Sequence, residues 1–167
     1  MRNLTNFVGF QAAWWSTIVG ASVGSPEVGP IVVSTLIGLH LYGVDKWKCE
    51  ALLLVTAACV GWTLDSLLVT AGFLDFGSGA SVAPIWIASL WAGFAATLGT
   101  SLSWLKRSPR AAALFGAIGG PLAYGAGARL GALEIAPLGL AAVATEWSIA
   151  TPVLAGIAAG RQGACAR

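Results

Sequence analysis

A single histidine, three cysteines and charge on only 10% of its 167 residues close off most familiar routes to catalysis for this chain. With His40 alone there is no multi-histidine iron centre, no HExxH zinc site and no Ser-His-Asp triad that spacing identifies. Cys49, Cys59 and Cys165 contain no CxxC pair, and two of them lie next to or inside apolar runs, so neither a disulfide framework nor a metal site is expected. Phosphate-binding glycine loops, dinucleotide fingerprints, internal repeats and long linkers are missing too. The reading therefore leans away from an enzyme, indicates no cofactor and no metal, and gives no reason to expect a nucleic-acid partner.

The shortage of charge is also the strongest positive signal. Soluble domains carry about 25% charged residues, whereas this chain is 57% hydrophobic with a mean hydropathy of +0.80. Such a surface is solvated by a bilayer, in which a spanning helix needs about 20 predominantly apolar residues. Six windows meet or approach that length: 4–24, 28–43, 50–73, 83–105, 111–133 and 136–160. They predict an all-α, polytopic bundle of six transmembrane helices forming one domain over residues 1–167. The first window resembles a secretory signal only superficially, because Gln11 and the pair Trp14 and Trp15 interrupt it, and it is read as a retained span. Between the fifth and sixth windows only Leu133-Glu134-Ile135 intervenes, which predicts a tight hairpin.

Charge placement orients the bundle. Arg2, Lys46, Lys48, Lys106, Arg107, Arg110, Arg161 and Arg167 fall in segments on one side, while the intervening loops hold Glu27, Asp75 and Glu134. The positive-inside rule makes the first side cytoplasmic and places both termini there, in a bacterial inner membrane. Trp47, Trp86 and Trp104 lie near the membrane surfaces this topology implies, where indoles are common.

Candidate functional residues are the ionisable groups inside the apolar windows, since one at a helix centre costs about 2.5–3.5 kcal/mol on insertion scales and usually faces a partner or a cavity. These are Asp65, Arg129 and Glu146, and an ion pair of Arg129 with one or both acids is geometrically reasonable. One arginine against two acids leaves an excess negative charge, which calls for a protonated acid, a bound cation or a cationic ligand group. The competing reading is that the charges merely staple helices together. In the fifth window Gly119-Gly120-Pro121 predicts a kink at Gly120-Pro121, and Gly119, Ala123, Gly127 and Gly131 form a small-residue stripe for close packing. Tyr124 precedes Arg129 on that helix; Gln11, Trp14 and Trp15 cluster in the first; Trp62, Asp65 and Ser66 share a face of the third. A ligand pocket formed by Asp65, Arg129, Glu146, Tyr124, Gln11, Trp14 and Trp62 is the resulting hypothesis. Thr97, Thr100, Ser101 and Ser103 are expected to bond back to their own helix.

The opening Asn3 to Trp15, the run Gly61-Trp62-Thr63-Leu64-Asp65-Ser66-Leu67-Leu68, the segments Gly119 to Tyr124 and Arg129 to Ala132, and Glu146-Trp147 ahead of Pro152 carry a resemblance. The chain resembles, over nearly its whole length, a family of unknown function made of small multi-span bacterial inner-membrane proteins. That resemblance implies a lipid-linked setting, since such proteins are encoded near lipid-modifying enzymes, especially methyltransferases acting on fatty acyl chains. Where members carry Asn-His this chain has Gly99-Thr100, which weakens any role for that position. The expected function is binding or transport of a small or lipidic ligand in an intramembrane pocket. Two alternatives stand beside it: a membrane-embedded enzyme or accessory subunit in lipid modification, with Asp65 or Glu146 as acid or base, and a structural subunit pairing with other membrane proteins or with itself.

Overall fold

Each apolar window forms a helix. The computed structural model describes residues 2–77, 79 and 81–164 and contains, among these, α1 (Arg2–Ser22), α2 (Val28–Tyr42), α3 (Trp47–Thr70), α4 (Ile85–Leu98), α5 (Pro109–Arg129) and α6 (Gly139–Ala164). Three of them, α3, α5 and α6, are long and apolar enough to cross a membrane, the pattern of a membrane protein. With 15 and 14 residues, α2 and α4 rise only roughly 22 Å, short of the bilayer's hydrocarbon thickness. Large apolar side chains such as Leu4, Val8, Ile31, Ile85, Leu114, Leu122 and Ile149 cover the outside of the bundle, a surface that lipid solvates and water does not.

The fourth window is shorter than its hydropathy predicts. Helical bonding stops at Leu98, and the chain turns through Gly99 and Thr100 into a short 3-10 helix at Ser103–Arg107. Thr97 Oγ1 donates to the Phe94 carbonyl at 2.6 Å and Thr100 Oγ1 to that of Ala96 at 3.0 Å, so these two hydroxyls bond back locally as expected, whereas Ser101 reaches across to Asn6 of α1. Ser108 then caps α5, its side chain accepting from the Ala111 N–H at 3.2 Å, with Pro109 at the first helical position. From there α5 runs unbroken past Pro121 to Arg129.

The junction between α5 and α6 is longer than a tight hairpin. Gly131, at φ +84°, lets the Ala132 N–H return to the Gly127 carbonyl at 3.0 Å, and Gly72, at φ +75°, lets Phe73 N–H reach Leu68 in the same way after α3. The segments that follow α3 and α5 pair as two short antiparallel strands, β1 (Leu74–Asp75) and β2 (Glu134–Ile135), with Leu74 opposite Ile135 and Asp75 opposite Glu134. Windowed hydropathy does not register a two-residue ladder, so this small addition to the all-α plan was not foreseen.

That ladder ties the ends of α3 and α5 at one pole of the bundle. At the other pole Ser101 Oγ donates to Asn6 Oδ1 at 2.7 Å, joining the α4 exit to the start of α1, and His40 meets Glu50 at 3.0 Å, joining α2 to α3. Lys46, Lys48, Lys106, Arg107 and Arg110 belong to the loops and helix starts of this second pole. Partial burial there pushes the Lys106 ammonium below its usual range, and nearby Glu50 opposes the change. Cys59 is free, but Cys49 is disulfide-bonded, against the expectation of no disulfide.

Candidate functional site

The centre of the molecule is an aromatic stack seated on glycines. On α5 the buried positions Ala112, Gly116, Gly120, Tyr124 and Gly127 recur near every fourth residue and face inward. A Cβ at Gly116 would lie 2.1 Å from the Trp147 carbonyl oxygen, and one at Gly120 would lie 2.5 Å from the Trp147 ring. The backbone of α6 therefore rests directly on α5, and the Trp147 indole lies across Gly120. On its other side Trp147 stacks on Trp91 of α4, with centroids 4.2 Å apart and planes 22° from parallel. Trp91 in turn lies on Gly61 of α3, where a Cβ would come within 2.0 Å of the ring. Glycine, indole, indole and glycine thus lock four helices at one level, with Phe94 edge-on to both indoles.

Asp65 anchors this cluster from α3. Fully buried, it accepts from Trp91 Nε1 at 2.7 Å through one carboxyl oxygen and from the Tyr124 hydroxyl through the other. The first bond fixes the rotation of Trp91 and the second carries Tyr124 across from α5. Glu146 presents the opposite case. It is 8% exposed, lies within electrostatic reach of Asp65, and has no hydrogen-bond partner on either carboxyl oxygen. Trp147 Nε1, which lies near the Tyr124 hydroxyl, and Thr151 Oγ1 have no partner of full hydrogen-bond geometry either, so the buried unpartnered side-chain atoms among the described residues all fall on one stretch of α6.

Next to the stack a cavity of about 460 Å³ opens among α1, α4, α5 and α6. Eleven aromatic residues contribute to its wall, among them Phe10, Trp14, Trp86, Trp91, Phe94, Tyr124 and Trp147, whereas polar character comes mainly from Gln11, Thr97 and Ser101. A second cavity, of about 590 Å³, lies among α1 to α4 at the positively charged pole, where Asn6, His40, Lys46, Glu50 and Thr100 line its polar part.

The sequence candidates divide accordingly. Gln11, Trp14 and Tyr124 line the aromatic cavity, Asp65 holds two of its walls, and Glu146 sits beside Trp147. Trp62 takes another role: its Nε1 donates to the Ala83 carbonyl at 2.7 Å, while Ser66 Oγ accepts from the Ala83 N–H at 3.1 Å, so that face of α3 fastens the segment entering α4. Arg129 is exposed in the last turn of α5 and pairs with neither acid, because the helix ends there with its side chains turned outward. Arg129→Ala is expected to change stability by no more than about 0.5 kcal/mol, the range of surface substitutions, as thermal unfolding in nanodiscs would register.

Trp91, Phe94, Trp86 and Trp147 also line the cavity and were not among the candidates read from the sequence. The signal that could have found Trp91 and Trp147 lies in Gly61 and Gly120, because a glycine inside an apolar helix marks a place where something approaches closely. The stripe read from the sequence, Gly119, Ala123, Gly127 and Gly131, shares only Gly127 with the buried positions of α5. Gly119 and Ala123 line the cavity, and the contact with α6 is made by Gly116 and Gly120.

No curated protein and no solved structure is significantly similar to the chain. Residues 3–153 match a family model described as "Protein of unknown function (DUF2878)". A match across nearly the whole chain makes this protein a member of the DUF2878 family.

Proposed function

We propose that the protein is a multi-pass inner-membrane protein, with both termini cytoplasmic, that binds or carries a small or lipidic ligand in the aromatic cavity. One observation carries this reading: a cavity of about 460 Å³, within the range of small-molecule sites, opens against Trp147, on the stretch of α6 that carries the unpartnered buried side-chain atoms among the described residues. Buried polar groups in folded proteins are almost always hydrogen-bonded. A run of exceptions beside an aromatic chamber is what a ligand site looks like before its ligand is considered. The gathering of Lys46, Lys48, Lys106, Arg107 and Arg110 at one pole, against Arg129 at the other, supports the orientation.

Gly119→Leu tests the reading. Gly119 lines the cavity, and a Cβ there would meet only the Phe115 ring at 3.8 Å, so a larger side chain has room to enter the chamber without disturbing helix packing. Native mass spectrometry of the purified protein, with lipidomics on what it retains, is expected to show a species enriched over bulk lipid in the wild type. The same species should vanish from an equally thermostable Gly119→Leu variant. Equal retention by both, or no enriched species in either, would leave the cavity without a role.

A further inference from the structure

We propose that the second cavity, at the positively charged pole, is a separate site for a single-chain zwitterionic amphiphile, one acyl chain whose head carries a phosphate and a primary ammonium. The space of about 590 Å³ lies among α1 to α4, and its lining changes character on all four in the same direction. On α1 the lining passes from Ala13 to Asn6 and on α2 from Val33 to His40, roughly 10 Å of helix in each case. On α3 it passes from Leu53 to Glu50, and along α4 and just past its end from Ala96 to Thr100. The apolar end therefore points into the bundle and the polar end toward the pole, the polarity of a lipid lying along the helices. Gly9 leaves room for a chain, since a Cβ there would meet nothing within 4 Å.

The polar end carries both signs of charge, with Lys46 and His40 in the lining beside Asp45 and Glu50. Glu50 is set into the wall rather than on the open surface: its side chain is 17% exposed, its Oε1 meets His40 Nε2 at 3.0 Å, and a Cβ on Gly99 would lie 3.4 Å from the same oxygen. A purely anionic head would meet the two acids, and a purely cationic one would meet Lys46, with Lys106 within electrostatic reach of Glu50. A neutral head would leave both signs unanswered. A head with an ammonium toward the acids and a phosphate toward Lys46 answers both, and an ammonium that keeps its N–H groups can donate to a carboxylate. The volume lies within the range of small-molecule sites and suits one acyl chain with its head rather than two.

Phe10 is the one described residue that lines both cavities, so substitutions elsewhere tell the two apart. Lysophosphatidylethanolamine, lysophosphatidylglycerol and a monoacylglycerol of the same chain length share a tail and differ in the head. Equilibrium binding of each to the full-length protein in phosphatidylcholine nanodiscs, above empty nanodiscs, is expected to be saturable for the ethanolamine lipid and about tenfold weaker for the other two, the worth of a hydrogen bond to a charged group. Glu50→Gln should remove that preference, Gly9→Leu should abolish binding, and Gly119→Leu, which fills the aromatic cavity, should leave it unchanged. Either glycerol lipid binding as tightly, or a preference that survives Glu50→Gln, would overturn the assignment of the head. Binding that survives Gly9→Leu, or no saturable binding by the wild type, would overturn the site itself while the aromatic cavity kept its role. Should Glu50→Gln fail to fold, the comparison of heads on the wild type decides alone.

Discussion

Gly116→Ala is expected to destabilise the protein by about 3 kcal/mol, the upper part of the range for overpacking a filled core, whereas Gly119→Ala should be neutral or gain up to about 1 kcal/mol of helix propensity. Three residues apart on one helix, the two glycines face different neighbours. The Cβ of the first would sit 2.1 Å from the Trp147 carbonyl oxygen, a backbone atom that moves only if α6 moves, and 2.5 Å from Thr151 Oγ1. The Cβ of the second would find nothing nearer than 3.8 Å. Gly120→Ala should behave like Gly116→Ala, since the obstructing atoms are Cβ and Cγ of Trp147, close to the main chain. Thermal unfolding of the variants in the same nanodisc, followed by tryptophan fluorescence, would decide it. Similar melting temperatures for Gly116→Ala and Gly119→Ala would mean that α5 and α6 do not meet as closely as described.

The same pair of helices shows where sequence reading reaches its limit. Six helices, and the side of the bundle on which each loop falls, follow from the hydropathy windows and from Lys and Arg clusters such as Lys106-Arg107 and Arg110, because helix length and loop charge are local properties. Which small residue faces a neighbour is not local. Gly116 and Gly120 share the four-residue spacing of Gly119 and Ala123, and hydropathy cannot choose between stripes one step of rotation apart; the choice is made by Trp147 and Trp91, two large rings that need a flat seat. Arg129 teaches the complementary lesson. A charge counted as intramembrane from a window of 111–133 becomes a helix-end residue once Gly131 terminates α5 at Arg129, so an error of four residues in one boundary dissolves the ion pair expected with Asp65 or Glu146. Asp65, by contrast, was legible as a functional candidate because no helix end lies near it, and its burial follows directly.

Asp65 and Glu146 are expected to part company under mutation. Asp65→Ala should cost about 4 kcal/mol, because it strips the acceptor from two buried donors at once, the Trp91 N–H and the Tyr124 hydroxyl, each left unsatisfied at about 1–3 kcal/mol. Asp65→Asn keeps one carbonyl oxygen and should lose roughly half as much. Glu146→Gln preserves shape and has no hydrogen bond to lose, so it should cost far less than Asp65→Ala. Chemical or thermal unfolding in parallel with binding to the cavity separates the two roles. If both acids were staples between helices, both substitutions would destabilise; if both were ligand contacts, neither would do so by much. The geometry calls for the mixed result, in which Asp65 fixes the positions of Trp91 and Tyr124 and so gives the cavity its shape. Glu146, unpartnered on α6, has no such bonds to lose and so no such cost.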